Sequence, residues 1–319
     1  MATLGFDTST TDIVAGQDLS AMTAVVTGAS AGLGIETSRA LASAGAKVIM
    51  LGRDAKKLAA AAEGLQAEDL AGTIETGIVD LADFDSIRAC AADLIARLPA
   101  ITTLINNAGV MAPPLQRTAQ GLEMQFGTNH VGHFLLTCLL MPALLAGAHA
   151  RIVNLSSAGH RFANIDFDDP NYQQRDYDKW QAYGQSKTCN ALFTVALEAR
   201  LAERGIHAYA VHPGVIMTEL SRYMDQSDFD LLMSNQPEGK EMRFKTIPQG
   251  AATSVWAATA AELDGQGGLY LEDCHIGEVA QPGQETQLEG GVEAYALDAQ
   301  AAEKLWSLSE QLVGERFDL

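Results

Sequence analysis

Cysteine is scarce in this chain, basic residues are outnumbered by acidic ones, and no hydrophobic run is long. The four cysteines, Cys90, Cys138, Cys189 and Cys274, form no CxxC pair. That spacing speaks against a disulfide framework or a zinc ribbon. Each thiol reads instead as a small buried hydrophobe in a reducing compartment, so a cytoplasmic location is expected. Lys and Arg number 21 against 40 Asp and Glu, a formal net charge of -19. Such a surface repels phosphate backbones and anionic lipids, which disfavours nucleic-acid binding. An anionic cofactor would need a local positive pocket set against that field. No basic segment followed by an apolar one opens the sequence, so no signal peptide is expected. The longest apolar run, residues 134–145, is short for a bilayer and reads as a core helix, so no membrane span is expected.

What is present suits a globular protein: 319 residues, 47% of them apolar and 19% charged. Residues 1–20 are polar and read as an arm ahead of a single domain over residues 21–319. Within that domain short apolar segments alternate with segments of helical spacing. Strands are expected at residues 23–27, 47–51, 73–79, 101–105, 151–155, 207–211 and 268–271. Helices are expected at residues 33–44, after Asp54, and at 83–98, 127–145, 180–203, 249–261 and from about 298. Strands that are apolar almost throughout are buried on both faces, which predicts an α/β fold with a doubly wound, Rossmann-type parallel sheet. Two long loops, residues 158–179 and 218–246, would sit at the binding edge; the second holds Met224, Met233 and Met242.

Thr27-Gly28-Ala29-Ser30-Ala31-Gly32-Leu33-Gly34 falls between the first strand and the first helix. Glycines there let backbone approach a pyrophosphate, and the helix N-terminus presents N–H groups to it. No Gly-Lys-Ser/Thr follows, which disfavours a P-loop hydrolase. Tyr183 and Lys187 stand four residues apart on a helix, hence on one face. A cation about 5 Å from a phenol favours the phenolate by about two pKa units at an effective dielectric near 20. That would bring Tyr183 toward the range of a general acid/base. His130 and His133 have no Asp, Glu or Cys at ligand spacing, so packing roles are expected and no metal.

The spacing Gly28, Gly32, Gly34 resembles the TGxxxGxG turn of the short-chain dehydrogenase/reductase family, in its shorter one-domain branch. The likeness runs from about Asp18 to Leu271. It is nearest to the retinol-dehydrogenase-like and WW-domain-oxidoreductase-like group, in Arg53, Asn129-His130-Val131-Gly132-His133-Phe134, residues 151–157 and the long insertion before Tyr183. The resemblance implies a cofactor cradle of Gly28, Ser30, Gly32, Leu33 and Gly34. It implies an adenine contact at Asp80 and Leu81. Asn107 would brace the sheet, with Ala108 and Gly109 beside the ribose. It also implies a nicotinamide wall at Pro213, Ile216 and Thr218. Gly52 stands where NAD-dependent members carry Asp, and Arg53 where NADP-dependent members carry Arg, so NADP(H) is the expected cofactor. Some NADP-dependent members carry a second basic residue where this chain has Ala31.

The implied catalytic set is Asn129, Ser157, Tyr183 and Lys187. Ser157, rather than Ser156, would hydrogen-bond the substrate oxygen, and Asn129 would order a water beside Lys187. The expected activity is interconversion of a hydrophobic alcohol and its ketone or aldehyde by hydride transfer. Two other readings stay open: an inactive NADP-sensing regulator, and a reductase of an activated C=C bond. A homodimer through the helices carrying Asn129 and Tyr183 is one expectation for assembly. A monomer, with the insertion covering that face, is the other. If Arg53 meets the 2′-phosphate, Arg53→Ala will raise KM for NADPH far more than KM for NADH; equal changes in steady-state kinetics would refute the assignment.

Overall fold

The computed structural model describes residues 4–234, 243–280 and 290–319. Eight strands form one sheet: β1 (Thr23–Thr27), β2 (Lys47–Gly52), β3 (Thr73–Ile78), β4 (Thr103–Asn106), β5 (Arg151–Leu155), β6 (His207–His212), β7 (Leu269–Glu272) and β8 (His275–Ile276). Their order is β3-β2-β1-β4-β5-β6-β7-β8. The first seven pair in parallel, with Val26 opposite both Met50 and Ile105, and β8 returns antiparallel to β7. The chain winds outward from β1 toward β3, then from β4 toward β8. Between β1 and β4 the direction reverses, which opens a crevice at the strands' C-terminal ends.

Helices cover both faces, which is why the central strands β1, β4 and β5 are buried almost throughout, while the edge strand β3 keeps polar, exposed positions. Ala24, Val26, Val48 and Met50 point into one core with α2 (Gly32–Ser43), α3 (Ala55–Gln66) and α9 (Ile247–Thr259). Val25, Ile49 and Leu51 point into the other, with α4 (Phe84–Arg97), α6 (Gly132–Ala146), α7 (Lys179–Leu201) and α10 (Ala299–Val313). Asp54 caps α3 as its position suggests, accepting from the amides of Lys56 and Lys57 at 3.0 and 3.1 Å. The helix expected from residue 127 starts earlier. A short turn, α5 (Met124–Phe126), runs through a π-helical segment, Gly127–Val131, into α6. Met124–Ala146 is long and apolar enough to cross a membrane by length and composition, and 78% of its most apolar stretch is buried in the fold.

Three features differ from the sequence expectation. Residues 4–20 do not form a free arm. Ser9 caps a helical turn, α1 (Thr10–Val14), with a capping box; Thr10 is buried on Glu36, and Ile13 joins the α2–α9 core. The strand β8 follows a two-residue turn in which Asp273 and Cys274 both have positive φ, 45° and 56°. Such hairpin turns are usually signalled by Asn or Gly, and this one carries neither. Within the loop after Thr218, a helix α8 (Gln226–Ser234) forms, while Met242 lies outside the described residues. The loop before α7 is compact: Asp169 accepts from the amides of Gln173, Gln174 and Arg175 at 2.7, 2.9 and 3.1 Å.

The α6–α7 face is covered by the chain's own C-terminal helix. Trp306 of α10 meets Phe134 edge-on at 4.9 Å between centroids, and the Arg200 guanidinium lies 4.0 Å over its ring. His130 reaches Ser309 at 2.8 Å, stacks on Phe126, and is held neutral by burial, its pKa pushed down to about 3. All four cysteines are buried and unpaired, and burial raises each thiol pKa. Trp306→Ala removes a ring that is 3% exposed. It is expected to cost about 3–5 kcal/mol in urea unfolding and to expose an apolar face that promotes self-association by light scattering.

Candidate active site

A cavity of about 760 Å³ opens at the crevice. Its back is set by how closely two turns approach. Gly28 has φ 66°, and a Cβ there would come within 2.7 Å of the Ala108 Cα. The Asn107 side chain donates to the Thr27 carbonyl at 2.7 Å, and the Ala108 amide donates to Thr27 Oγ1 at 2.9 Å. These bonds tie the end of β4 to the end of β1. Gly34 does not reach the cavity wall. A Cβ there would lie 2.8 Å from both Ala29 Cα and Asn107 Nδ2, so its role is close packing of α2 against the turn.

The other residues expected around a cofactor do line this one cavity: Gly28, Ser30, Gly32, Leu33, Arg53, Asp80, Leu81, Asn107, Ala108, Gly109, Pro213, Ile216 and Thr218. Thr218 passes over Gly32, whose Cβ would stand 3.4 Å from the Thr218 methyl. Asp80 accepts from the Ala82 amide at 2.9 Å, which shapes the turn after β3. Absence of a Cβ at Gly28 and Gly32 leaves room for backbone–phosphate approach. Arg53 projects into the cleft without an ion-pair or hydrogen-bond partner among the described residues. The wall therefore fits an extended, anionic dinucleotide.

Ser157, Tyr183 and Lys187 face the same cavity. The Ser157 hydroxyl lies near enough to the Tyr183 phenol to draw its pKa down against burial, and the Tyr183 ring packs so closely that a Cβ on Gly159 would be 2.6 Å from Cε1. Ser157 Oγ also accepts from the Gly159 amide at 3.0 Å. Ser156 is different: its hydroxyl is committed to the Lys187 carbonyl at 2.9 Å. Lys187 Nζ lies 5.8 Å from the Tyr183 ring centroid and donates to the Leu155 carbonyl at 2.8 Å.

Asn129 is brought close but does not touch the cavity. Its side chain accepts from the Val110 amide at 2.8 Å and donates to the Val110 carbonyl and Ser186 Oγ, both at 2.9 Å. The expected water-ordering side chain is thus committed to bracing the β4 turn and α7. Its carbonyl meets His133 Nδ1 at 2.9 Å, and His133 Nε2 meets Thr27 Oγ1 at 2.9 Å. Burial pushes the His133 pKa down to about 4 and keeps the ring neutral. Among the described residues, no group of three or more His, Cys, Asp or Glu is placed to hold a metal.

Burial outweighs the ammonium effect expected from the Tyr183–Lys187 spacing. It pushes the Tyr183 pKa up to about 12, with the nearby Ser157 hydroxyl pulling against it. The same burial lowers Lys187 to about 7. Both neutral forms are favoured: the phenol keeps its proton more firmly than in water, and the amine loses part of its charge near pH 7.

The two loops expected at the binding edge supply Phe162 and Leu232 to an apolar end of the cavity, where Met111 and Trp180, not named from the sequence, join them. Phe6 and Arg243 also line the cavity. Trp180 precedes Tyr183 by one helical turn, a spacing that could have identified it. Phe6 arrives only by tertiary packing, beneath the Arg243 guanidinium at 3.8 Å.

The family model described as short chain dehydrogenase matches residues 22–228. Mouse retinol dehydrogenase 12 is 40% identical over 294 residues, covering 92% of this chain and 87% of that protein. The "Probable oxidoreductase" of Streptomyces antibioticus is 42% identical over 293 residues, covering 91% and 96%. Among solved structures, an uncharacterised protein from Mycobacterium paratuberculosis superposes with a TM-score of 0.74 at 35% identity, over 98% of this chain and 100% of that one. A Beutenbergia cavernae protein described as an NAD(P)-dependent gluconate 5-dehydrogenase, with NADP bound, superposes with a TM-score of 0.63 at 25% identity, over 80% and 96%. Fold and relatives together define an oxidoreductase on a Rossmann-type sheet. The chain belongs to the short-chain dehydrogenase/reductase family, within its retinol-dehydrogenase-like group.

Lys187 gives a stability test. A lysine whose folded pKa is about 7, against its ordinary value of 10.5, carries a burial penalty. That penalty is full below about pH 7, where both states are protonated, and vanishes above the unfolded pKa. Lys187→Met is therefore expected to stabilise the cofactor-free protein by about 2–4 kcal/mol at pH 6 and by little near pH 10. The Leu155 carbonyl keeps its bond from Asn190 at 2.8 Å. Thermal melts across this range check the sign; a variant less stable than wild type at pH 6 contradicts it.

Proposed function

We propose that the protein is an NADP(H)-dependent alcohol dehydrogenase or carbonyl reductase acting on hydrophobic substrates. The observation that carries the reading is that the Tyr183 phenol, Ser157 and Lys187 share one cavity with the Gly28 turn. Gly28, Ser30 and Gly32 would hold the diphosphate, Arg53 the 2′-phosphate, and Pro213, Ile216 and Thr218 the nicotinamide end. When bound, that cofactor supplies or accepts the hydride.

The chain's own groups handle the substrate oxygen and the proton. With its pKa near 12, Tyr183 holds its proton at neutral pH. That suits delivery to an oxygen that becomes negative as a carbonyl is reduced. Ser157 Oγ stands beside it to stabilise the same oxygen, as a preorganised donor in a site shielded from water. Lys187, fixed on the Leu155 carbonyl, supplies donors toward the ribose side and positive charge near the phenol when protonated. Asn129 acts through Val110 and Ser186, keeping the floor under these groups. The same groups serve alcohol oxidation in reverse.

A hydrophobic substrate is supported by the apolar end of the cavity. Tyr183 packs with Trp180 and Ala112, flanked by Met111, Phe162, Met224 and Leu232. Aromatic and Met side chains of this kind adapt to bulky apolar groups. A reducing compartment, here the cytoplasm, fits the four buried thiols. Tyr183→Phe is expected to lower kcat by about 10²–10⁴-fold while leaving NADPH affinity nearly unchanged. NADPH consumption against a panel of bulky ketones and aldehydes, with fluorescence titration of NADPH, measures both. Turnover near wild-type level would refute the role of Tyr183, and preference for small polar sugars would refute the substrate class.

A further inference from the structure

The cleft holds a cation that the sequence motif does not mark. A nucleotide 2′-phosphate carries nearly two negative charges and must enter a protein whose net charge is -19. Arg53 is a single cation, and the residue before Gly32, Ala31, is not basic. Lys57 lines the same cavity. Its backbone is fixed in the first turn of α3, where its amide donates to the Asp54 cap at 3.1 Å. Ser30 lies against the end of β2, its Oγ 3.6 Å from where a Cβ on Gly52 would sit. Gly52 thus leaves open the space where a carboxylate would otherwise oppose a phosphate.

Lys57 Nζ is paired with Glu219 at 3.5 Å, and both side chains are more than half exposed, at 59% and 63%. Glu219 follows Thr218, which itself lies over Gly32. The pair therefore joins the start of α3 to the loop that closes over the phosphate turn. An exposed pair at this separation is weak and easily exchanged. A phosphate offers more charge and more acceptor oxygens than a carboxylate.

We propose that Lys57 is a second cofactor-specificity residue, a cation for the ribose 2′-phosphate that is held by Glu219 until that phosphate displaces the carboxylate. The inference rests on the NADP reading above and deepens it. Lys57 and Arg53 together then distinguish the phosphorylated dinucleotide from its unphosphorylated form. Glu219 competes for the site and links its occupancy to residues 219–223.

Calorimetric titration with 2′,5′-ADP and with 5′-AMP tests this without turnover. Wild type is expected to prefer 2′,5′-ADP. Lys57→Ala should weaken 2′,5′-ADP by about fivefold and leave 5′-AMP unchanged, and Lys57→Arg should restore most of the loss. Glu219→Gln should tighten 2′,5′-ADP by about twofold to threefold by removing the competitor. The salt dependence of 2′,5′-ADP binding should be shallower in Lys57→Ala than in wild type. Equal weakening of both probes by Lys57→Ala, or no weakening while Arg53→Ala abolishes the preference, overturns the role of Lys57 and leaves the NADP reading intact. A wild-type protein that binds the two probes alike removes the NADP reading itself, and this proposal with it.

Discussion

Where β1 and β4 end, two backbones pass closer than a methyl group allows. The Gly28–Ala108 approach is the constraint on which the remaining site depends. It requires glycine at a positive φ, and it brings Thr27 and Asn107 into hydrogen-bond range. From that crossing a buried polar chain continues through Thr27 Oγ1 and His133 to the Asn129 carbonyl, and from the Asn129 side chain to Val110 and Ser186. Each member is inside the protein, so each is bound to have a partner. The phosphate turn, the β4 turn and α7 are thereby held in one frame. Tyr183 and Lys187 inherit their positions from it.

Function is set against stability at this same place. A tyrosine and a lysine are buried where hydrophobic packing alone would favour Leu or Met. Burial drives their pKa values in opposite directions, to about 12 and about 7. Two groups whose ordinary pKa values nearly coincide are driven apart, leaving the phenol neutral and the amine about half-charged near physiological pH. Such groups respond strongly to a nearby ligand charge, which is what proton transfer in a closed site requires.

The remaining architecture closes off surface rather than building chemistry. The α10 helix lies on α6 and α7, with Trp306 packed against both Phe134 and Phe193. The Asp169 turn system and the α1 turn fill other edges. Residues 4–20 show how a polar sequence can still be ordered. One capping box, one buried Thr10–Glu36 contact and one apolar residue, Ile13, suffice when α2 and α9 offer a surface. No periodicity in so short a segment could reveal that surface.

Much of the fold was legible because the central strands are apolar on both faces and several helices, such as α3 and α4, carry their own capping Asp. Asp54 at the head of α3 and the unbroken Thr23–Thr27 strand are local facts that need no partner. The sequence determined the strand–helix alternation, the glycine turn and the Tyr183–Lys187 spacing, because backbone sterics and helical geometry act over a few residues. Tertiary structure alone decided what depends on distance between remote segments. It moved Gly34 and Asn129 behind the cavity wall, joined Lys57 to Glu219 across 162 positions, and set Phe6 beneath Arg243. It also reversed the expected sign of the Tyr183 shift. Solvent exclusion is a property of the whole packed site, and no spacing along the chain encodes how deeply a phenol is buried.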